Sequence, residues 1–108
     1  MNSFVVIETT FSSHEEGLKM ASMLVQQHLC ACCHIMNIQS CFRYKGTVQN
    51  ETEVLLRCKT TRQSQSAAIE CIVSHHSYSV PEIVVMEVSC PHVAYATWIE
   101  DEVQQKGI

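Results

Sequence analysis

Between Cys32 and Thr61 the chain carries an alternation that only an extended backbone can satisfy. Cys32, His34, Met36, Ile38, Ser40, Phe42 and Tyr44 fall on one face, with Ile35, Asn37, Gln39 and Arg43 on the other. That period of two is the period of side chains along a β-strand. Lys45-Gly46 supplies a tight turn, because glycine takes up positive φ without strain. The chain returns from Thr52 to Thr61, where Val54, Leu56 and Cys58 alternate against Glu53, Arg57 and Lys59. The predicted hairpin is longer than the ~5–6 residues usual for a strand, so its tip projects past any helices that cover the sheet. An uncovered edge bearing Ile38, Phe42 and Tyr44 is an association site, and the simplest cover is further copies of the same chain.

The flanking segments complete an order of elements. Phe4-Val5-Val6-Ile7 is a continuous apolar run, as in a strand buried on both faces, and it gives way at Glu8-Thr9-Thr10. Ser13-x-x-Glu16 reads as a capping box, behind which Leu18, Ala21, Val25 and Leu29 repeat at helical spacing over His14 to Leu29. Ser64 or Ser66 can cap a second helix with Ile69, Ile72, Val73 and His76 on one stripe. That helix must stop before Pro81, which forces Val80 into an extended conformation. Ile83 to Val88 is the fourth strand, and Pro91 opens a helix over Val93 to Val103. The order β-α-β-β-α-β plus a helix predicts an α+β, ferredoxin-like antiparallel sheet, with residues 1–108 as one domain.

Composition excludes several classes. A net charge of −4 with scattered Lys and Arg lacks the basic face that nucleic acid requires. No apolar run approaches the ~20 residues needed to span a bilayer. The start Met1-Asn2-Ser3-Phe4 has no basic secretory region, so the expected compartment is the cytoplasm. The 7 cysteines are then thiols and not a disulfide framework. With 3 glycines and no Ser-centred elbow, neither a phosphate-cradling loop nor a nucleophile–base–orienter set is legible, so no enzyme is expected.

Two constellations carry chemistry. Cys30-Ala31-Cys32-Cys33-His34 matches C-x-x-C-H, the c-type haem attachment pattern, but that chemistry belongs to exported proteins. On a strand Cys30 and Cys33 would also face opposite ways, while Cys30, Cys32 and His34 would share a face suited to a soft metal or simply pack as small apolar groups. His75 and His76 at a helix end lie about 100° apart on the helix and converge only if the chain unwinds ahead of Pro81. Imidazole is the commonest nitrogen donor for late first-row ions, Cu(II) above all, and Glu82 can add an oxygen. The plainer alternatives are a core-facing His76 and a His75 that offsets the negative helix end.

These segments, in order along nearly the whole chain, resemble the CutA divalent-cation tolerance family. Leu29-Cys30-Ala31-Cys32-Cys33-His34-Ile35 is similar to its L-A-A-C-V-N-I segment, and Phe42-Arg43-Tyr44-Lys45-Gly46 to its Y-x-W-x-G hairpin tip. Glu53 to Thr60 matches E-x-x-L-x-x-K-T, His76 to Ile83 matches H-P-Y-x-x-P-E-I, and Tyr95 to Ile99 matches Y-L-x-W-I. The resemblance implies a ferredoxin-like homotrimer with hairpins paired between subunits, contacts through Ile38, Phe42, Tyr44 and Trp98, and divalent metal as the ligand. It implies Cu(II) held by His75 and His76 with a first-strand cysteine that is Thr9 here, leaving Cys32 and Glu82 as substitutes. The family also resembles the PII regulators in architecture. Under that alternative a small anion or nucleotide binds near Lys59, Arg43 and Tyr78; a purely structural trimer would bind neither.

Overall fold

A computed structural model describes residues 3–104, so the expectation attached to Met1 and Asn2 lies outside the described residues. The elements are β1 (Ser3–Phe11), α1 (His14–Gln26), β2 (Cys32–Tyr44), β3 (Thr47–Thr60), α2 (Gln65–His75), β4 (Val84–Ser89) and α3 (Val93–Gln104). The sheet order is β2-β3-β1-β4 with every neighbouring pair antiparallel, the expected α+β, ferredoxin-like arrangement.

β1 lies at the centre of the core, paired on both sides and covered on both faces. Ile7 and Phe11 join Met20, Leu24, Leu56 and Ile72 beneath α1 and α2. Phe4 and Val6 look the other way, onto Ile99 and Val103 of α3. The strand does not give way at Glu8: it continues through Thr9, Thr10 and Phe11, paired with Leu56, Leu55 and Val54. The threonines conceal this continuation in the sequence because their burial is satisfied by a residue far along the chain, described below.

The ends of α1 are set by local bonds. Ser13 Oγ accepts from the Glu16 amide at 3.2 Å, whereas the Glu16 carboxylate takes the Ser12 hydroxyl, so only half of the expected capping box forms. At the other end the helix stops at Gln26, short of Leu29. The His28 amide bonds the Val25 carbonyl and the Leu29 amide bonds the Leu24 carbonyl, with His28 itself at φ 59°, which is a Schellman ending. Glycine is the usual occupant of that left-handed position. Here a histidine holds it, and its Nδ1–H donates to the Glu102 carbonyl at 2.8 Å, tying the loop to α3.

β3 begins at Thr47, earlier than the alternation suggested, and the hairpin turns on Lys45 and Gly46 at φ 51° and 83°. Two successive positive-φ residues are the signature of a type I′ turn, whose twist matches the strands it joins. Nothing lies within 4 Å of a Cβ built on Gly46, so a Gly46→Ala change tests backbone strain alone. It is expected to cost about 1 kcal/mol of unfolding free energy in a denaturant titration.

The last rung of β1 with β3 is Phe11 opposite Val54, and beyond it β2 and β3 run on together from Ile38 opposite Glu53 to Tyr44 opposite Thr47. At ~3.3 Å per residue the 13 residues of β2 extend nearly the full 45 Å of the molecule. The outer half is a two-stranded ribbon. Such a ribbon is marginally stable alone in water, and it exposes Phe42, Tyr44 and Val48.

Candidate functional site

α2 ends at His75, and the chain turns extended at His76 (φ −80°, ψ 141°), so His76 is not part of the helical stripe. The two histidines part at this unwinding and take different roles. His76 docks on the end of β1. Its Nε2 lies 2.9 Å from the Thr10 carbonyl and 3.2 Å from Thr9 Oγ1, while its Nδ1 lies 3.1 Å from the Tyr78 amide. A carbonyl can only accept, so Nε2 carries the proton and Nδ1 accepts from Tyr78. Both ring nitrogens are therefore occupied. The ring also stacks on Phe11 with centroids 4.3 Å apart at 8°. Burial pushes the His76 pKa below its ordinary value, outweighing the bond to Thr10 and the Glu16 carboxylate, which raise it.

His75 keeps one nitrogen open. Its Nδ1 lies 2.9 Å from the Cys71 carbonyl and 3.1 Å from Ser74 Oγ, so Nδ1–H donates to the carbonyl and the lone pair resides on Nε2. The side chain is exposed at the C-terminal end of α2. A ring fixed through one nitrogen with the other available is the form in which histidine binds metal.

The other expected donors are elsewhere in the chain. Cys32 opposes Lys59, which opposes Val6, while Thr10 is level with Leu55 and Met36. Cys32 is thus four residues along β2 from the level at which His76 docks, and its Sγ faces His34 Nε2 at 3.7 Å. Glu82 is exposed on the wall of a cleft of about 860 Å³ that also includes Glu51, Glu53, Tyr78, Phe42 and Tyr44. Within it the Tyr78 hydroxyl donates to the buried Glu53 carboxylate at 2.8 Å. Burial, then that carboxylate, pushes the Tyr78 pKa up. Of the residues expected around a small-molecule cleft, only Tyr78 lines this one; Lys59 instead donates to the Tyr95 hydroxyl at 3.1 Å.

One convergence contradicts the sequence reading. Among the described residues, the group of metal-capable side chains that meets is Cys30, Cys33 and Cys58, with all sulfurs within 4.8 Å of one another. Cys30 and Cys33 do not face opposite ways. β2 starts only at Cys32, and the Schellman ending swings Cys30 under the sheet, with its amide on the Leu24 carbonyl. Cys33 and Cys58 are directly opposed across β2 and β3, so their Cβ atoms are held about 5 Å apart. Hydrogen bonds from Cys30 and then Cys58 hold the Cys33 pKa well below the thiol range, although burial opposes them. Cys30 is raised by its bond to Cys33 and by burial, and Cys58 by its bonds to both neighbours and by burial. A C-x-x-C spacing was visible in the sequence; its third member, 25 residues after Cys33, was not.

With fold and site in view, the family model described as CutA1 divalent ion tolerance protein matches residues 5–102. The chain belongs to that family. It is 31% identical over 98 residues to the chloroplastic protein CutA of Arabidopsis thaliana, covering 90% of this chain and 54% of that protein. The chain thus spans about half the length of the plant relatives it matches. It is 30% identical over 96 residues to the divalent-cation tolerance protein CutA of Escherichia coli, covering 88% of this chain and 86% of that one. The structure of CutA from Synechococcus elongatus superposes with a TM-score of 0.92 at 32% identity, covering 95% of this chain and 92% of that one. Among the described residues of this CutA-family chain, no helix is long and apolar enough to cross a membrane.

Proposed function

We propose that this chain acts as a homotrimer that binds divalent copper through His75 and serves tolerance to metal ions. Membership in a divalent-cation tolerance family supports the ligand class, and the open Nε2 of His75, with Nδ1 fixed on Cys71, carries the reading. Cu(II) is the divalent first-row ion that imidazole holds most strongly. The four donors expected from the sequence enter unequally. His75 offers a lone pair as it stands, and Glu82 an exposed carboxylate; Cys32 contributes only where assembly brings it alongside. His76 must first give up its bonds to Thr10 and Tyr78, so its role in this reading is to hold the turn that presents His75. No catalytic step is assigned.

Assembly is supported by the ribbon beyond β1 and by the apolar edge strand β4, where Val84, Val85 and Met86 are exposed. Two bare edges on one chain can be covered by strand pairing between copies. Ile38, Phe42, Tyr44 and Trp98 are the contacts proposed, the last three exposed and Trp98 stacked on Tyr95. Seven free thiols suit a reducing compartment such as the cytoplasm.

Titration of the protein with Cu(II), followed by calorimetry and electron paramagnetic resonance, tests the site. His75→Ala is expected to remove one nitrogen coupling and to weaken binding by roughly tenfold or more, a change of about 1.4 kcal/mol at least. Unchanged binding would take His75 out of the site, and a monomer persisting in sedimentation at high concentration would remove the trimer. The cleft beside Tyr78 favours a second reading, a PII-like small-molecule module. That reading predicts thermal stabilisation of metal-free protein by an anionic metabolite.

A further inference from the structure

The core beneath α1 and α2 is rich in sulfur. Met20, Met23, Cys30, Cys33, Cys58 and Cys71 all belong to it, and the Cys71 thiol donates to the Met23 thioether at 3.6 Å. Packing alone explains an isolated buried cysteine. It does not by itself account for a triangle of thiols from three separate places: the loop after α1, the first rungs of β2, and β3.

The triangle has the size of a metal site. If its edges were as long as the 4.8 Å limit, the centre would lie about 2.8 Å from each sulfur. Metal–thiolate bonds of ~2.3 Å correspond to edges of ~4.0 Å, so a contraction of less than an ångström per edge, within reach of side-chain rotation, suffices. Coordination number then separates the ions. Structural zinc takes four ligands, and no fourth His, Cys, Asp or Glu joins this group among the described residues. Thiolate donors in an apolar shell select soft Cu(I), which is content with three. Cys30 and Cys58 are buried, while Cys33 is half-buried and opens a path for transfer from a solvent-borne carrier.

We propose that Cys30, Cys33 and Cys58 form a trigonal Cu(I) site, distinct in position and metal oxidation state from the His75 site. As each Cu–S bond forms, the thiol concerned gives its proton to solvent, and copper stays Cu(I) throughout. The thioether of Met23 and the thiol of Cys71 add a soft outer layer.

The test uses the whole chain under anaerobic, reducing conditions, with Cu(I) presented as its bicinchoninate complex. The wild-type protein is expected to withdraw one equivalent of Cu(I), giving an X-ray absorption spectrum with a first shell of sulfur only. Cys33→Ser, the least buried of the three changes, should fold as judged by circular dichroism. It should lose more affinity than the roughly 10–100-fold that removal of an outer-shell partner costs. Cys41→Ser, an exposed thiol on the ribbon, should compete as the wild type does. Should Cys33→Ser prove unfolded, alkylation serves instead: one equivalent of Cu(I) should protect Cys30, Cys33 and Cys58 together from labelling in mildly denaturing urea. Failure to take Cu(I) from the chelator, equal binding by Cys33→Ser, a nitrogen in the first shell, or protection of other cysteines would each overturn the proposal. Loss of Cu(II) binding in His75→Ala, with Cu(I) uptake intact, would show that the two sites stand or fall separately.

Discussion

Phe11→Ala is expected to lower the unfolding free energy by about 3–5 kcal/mol. Phe11 is fully buried at the last rung of β1, opposite Val54. Its ring lies flat against His76, and a Cβ built on Gly17 of α1 would sit 3.7 Å from its Cδ2. Three parts of the fold meet on one side chain there: β1 itself, β3 at Val54, and the turn that carries His76. Removing a fully buried ring from paired strands leaves a cavity, which places the cost in the large-to-small range. Urea unfolding monitored by circular dichroism measures it; a loss below about 1 kcal/mol would show that the joint collapses and does not depend on the ring.

His76→Ala comes second, at about 2–4 kcal/mol. The change leaves the Thr10 carbonyl and the Tyr78 amide without their partner and removes one ring of the stack on Phe11. Because Phe11 and His76 touch, the double variant should lose less than the sum of the two single losses. A pH signature separates the histidine from the phenylalanine. The folded-state pKa of His76 is depressed below 6.5, mainly by burial, so between that value and 6.5 the unfolded chain binds more protons than the folded one. The stability due to neutral His76 is complete above pH ~6.5 and is lost as pH falls through the folded pKa. Urea midpoints of metal-free protein should fall across that window. The slope should disappear with the imidazole in His76→Ala, and persist in reduced form in Phe11→Ala, which strips one covering ring from it.

Much of the architecture could be read from periodicity. The alternation on Cys32–Tyr44, the Lys45-Gly46 turn and the apolar run at Phe4–Ile7 each report a local preference, and each appears where it was expected. The readings that failed depend on partners distant in sequence. Thr9 and Thr10 look like the end of a strand until His76 reaches them across the fold. Gln49 to Glu51 looks like a loop because all three are polar, yet β2 holds them in register. The triple of thiols was hidden by one residue: a glycine at position 28 would have announced the Schellman ending and shown Cys30 outside the strand, but a histidine stands there. At the candidate site the residue types were legible and their division of labour was not, since only the hydrogen bonds distinguish an imidazole with a free nitrogen from one without.

That left-handed histidine links two distant parts of the molecule. A β-carbon at such a position costs roughly 1–2 kcal/mol, and the bond from His28 to the Glu102 carbonyl contributes against it together with the Schellman backbone bonds. The final turn of α3 consequently acts as a latch on the bend that carries Cys30 beneath the sheet. Fraying of that turn would release the bend and, with it, the loop that seats Cys30 in the sulfur-rich core.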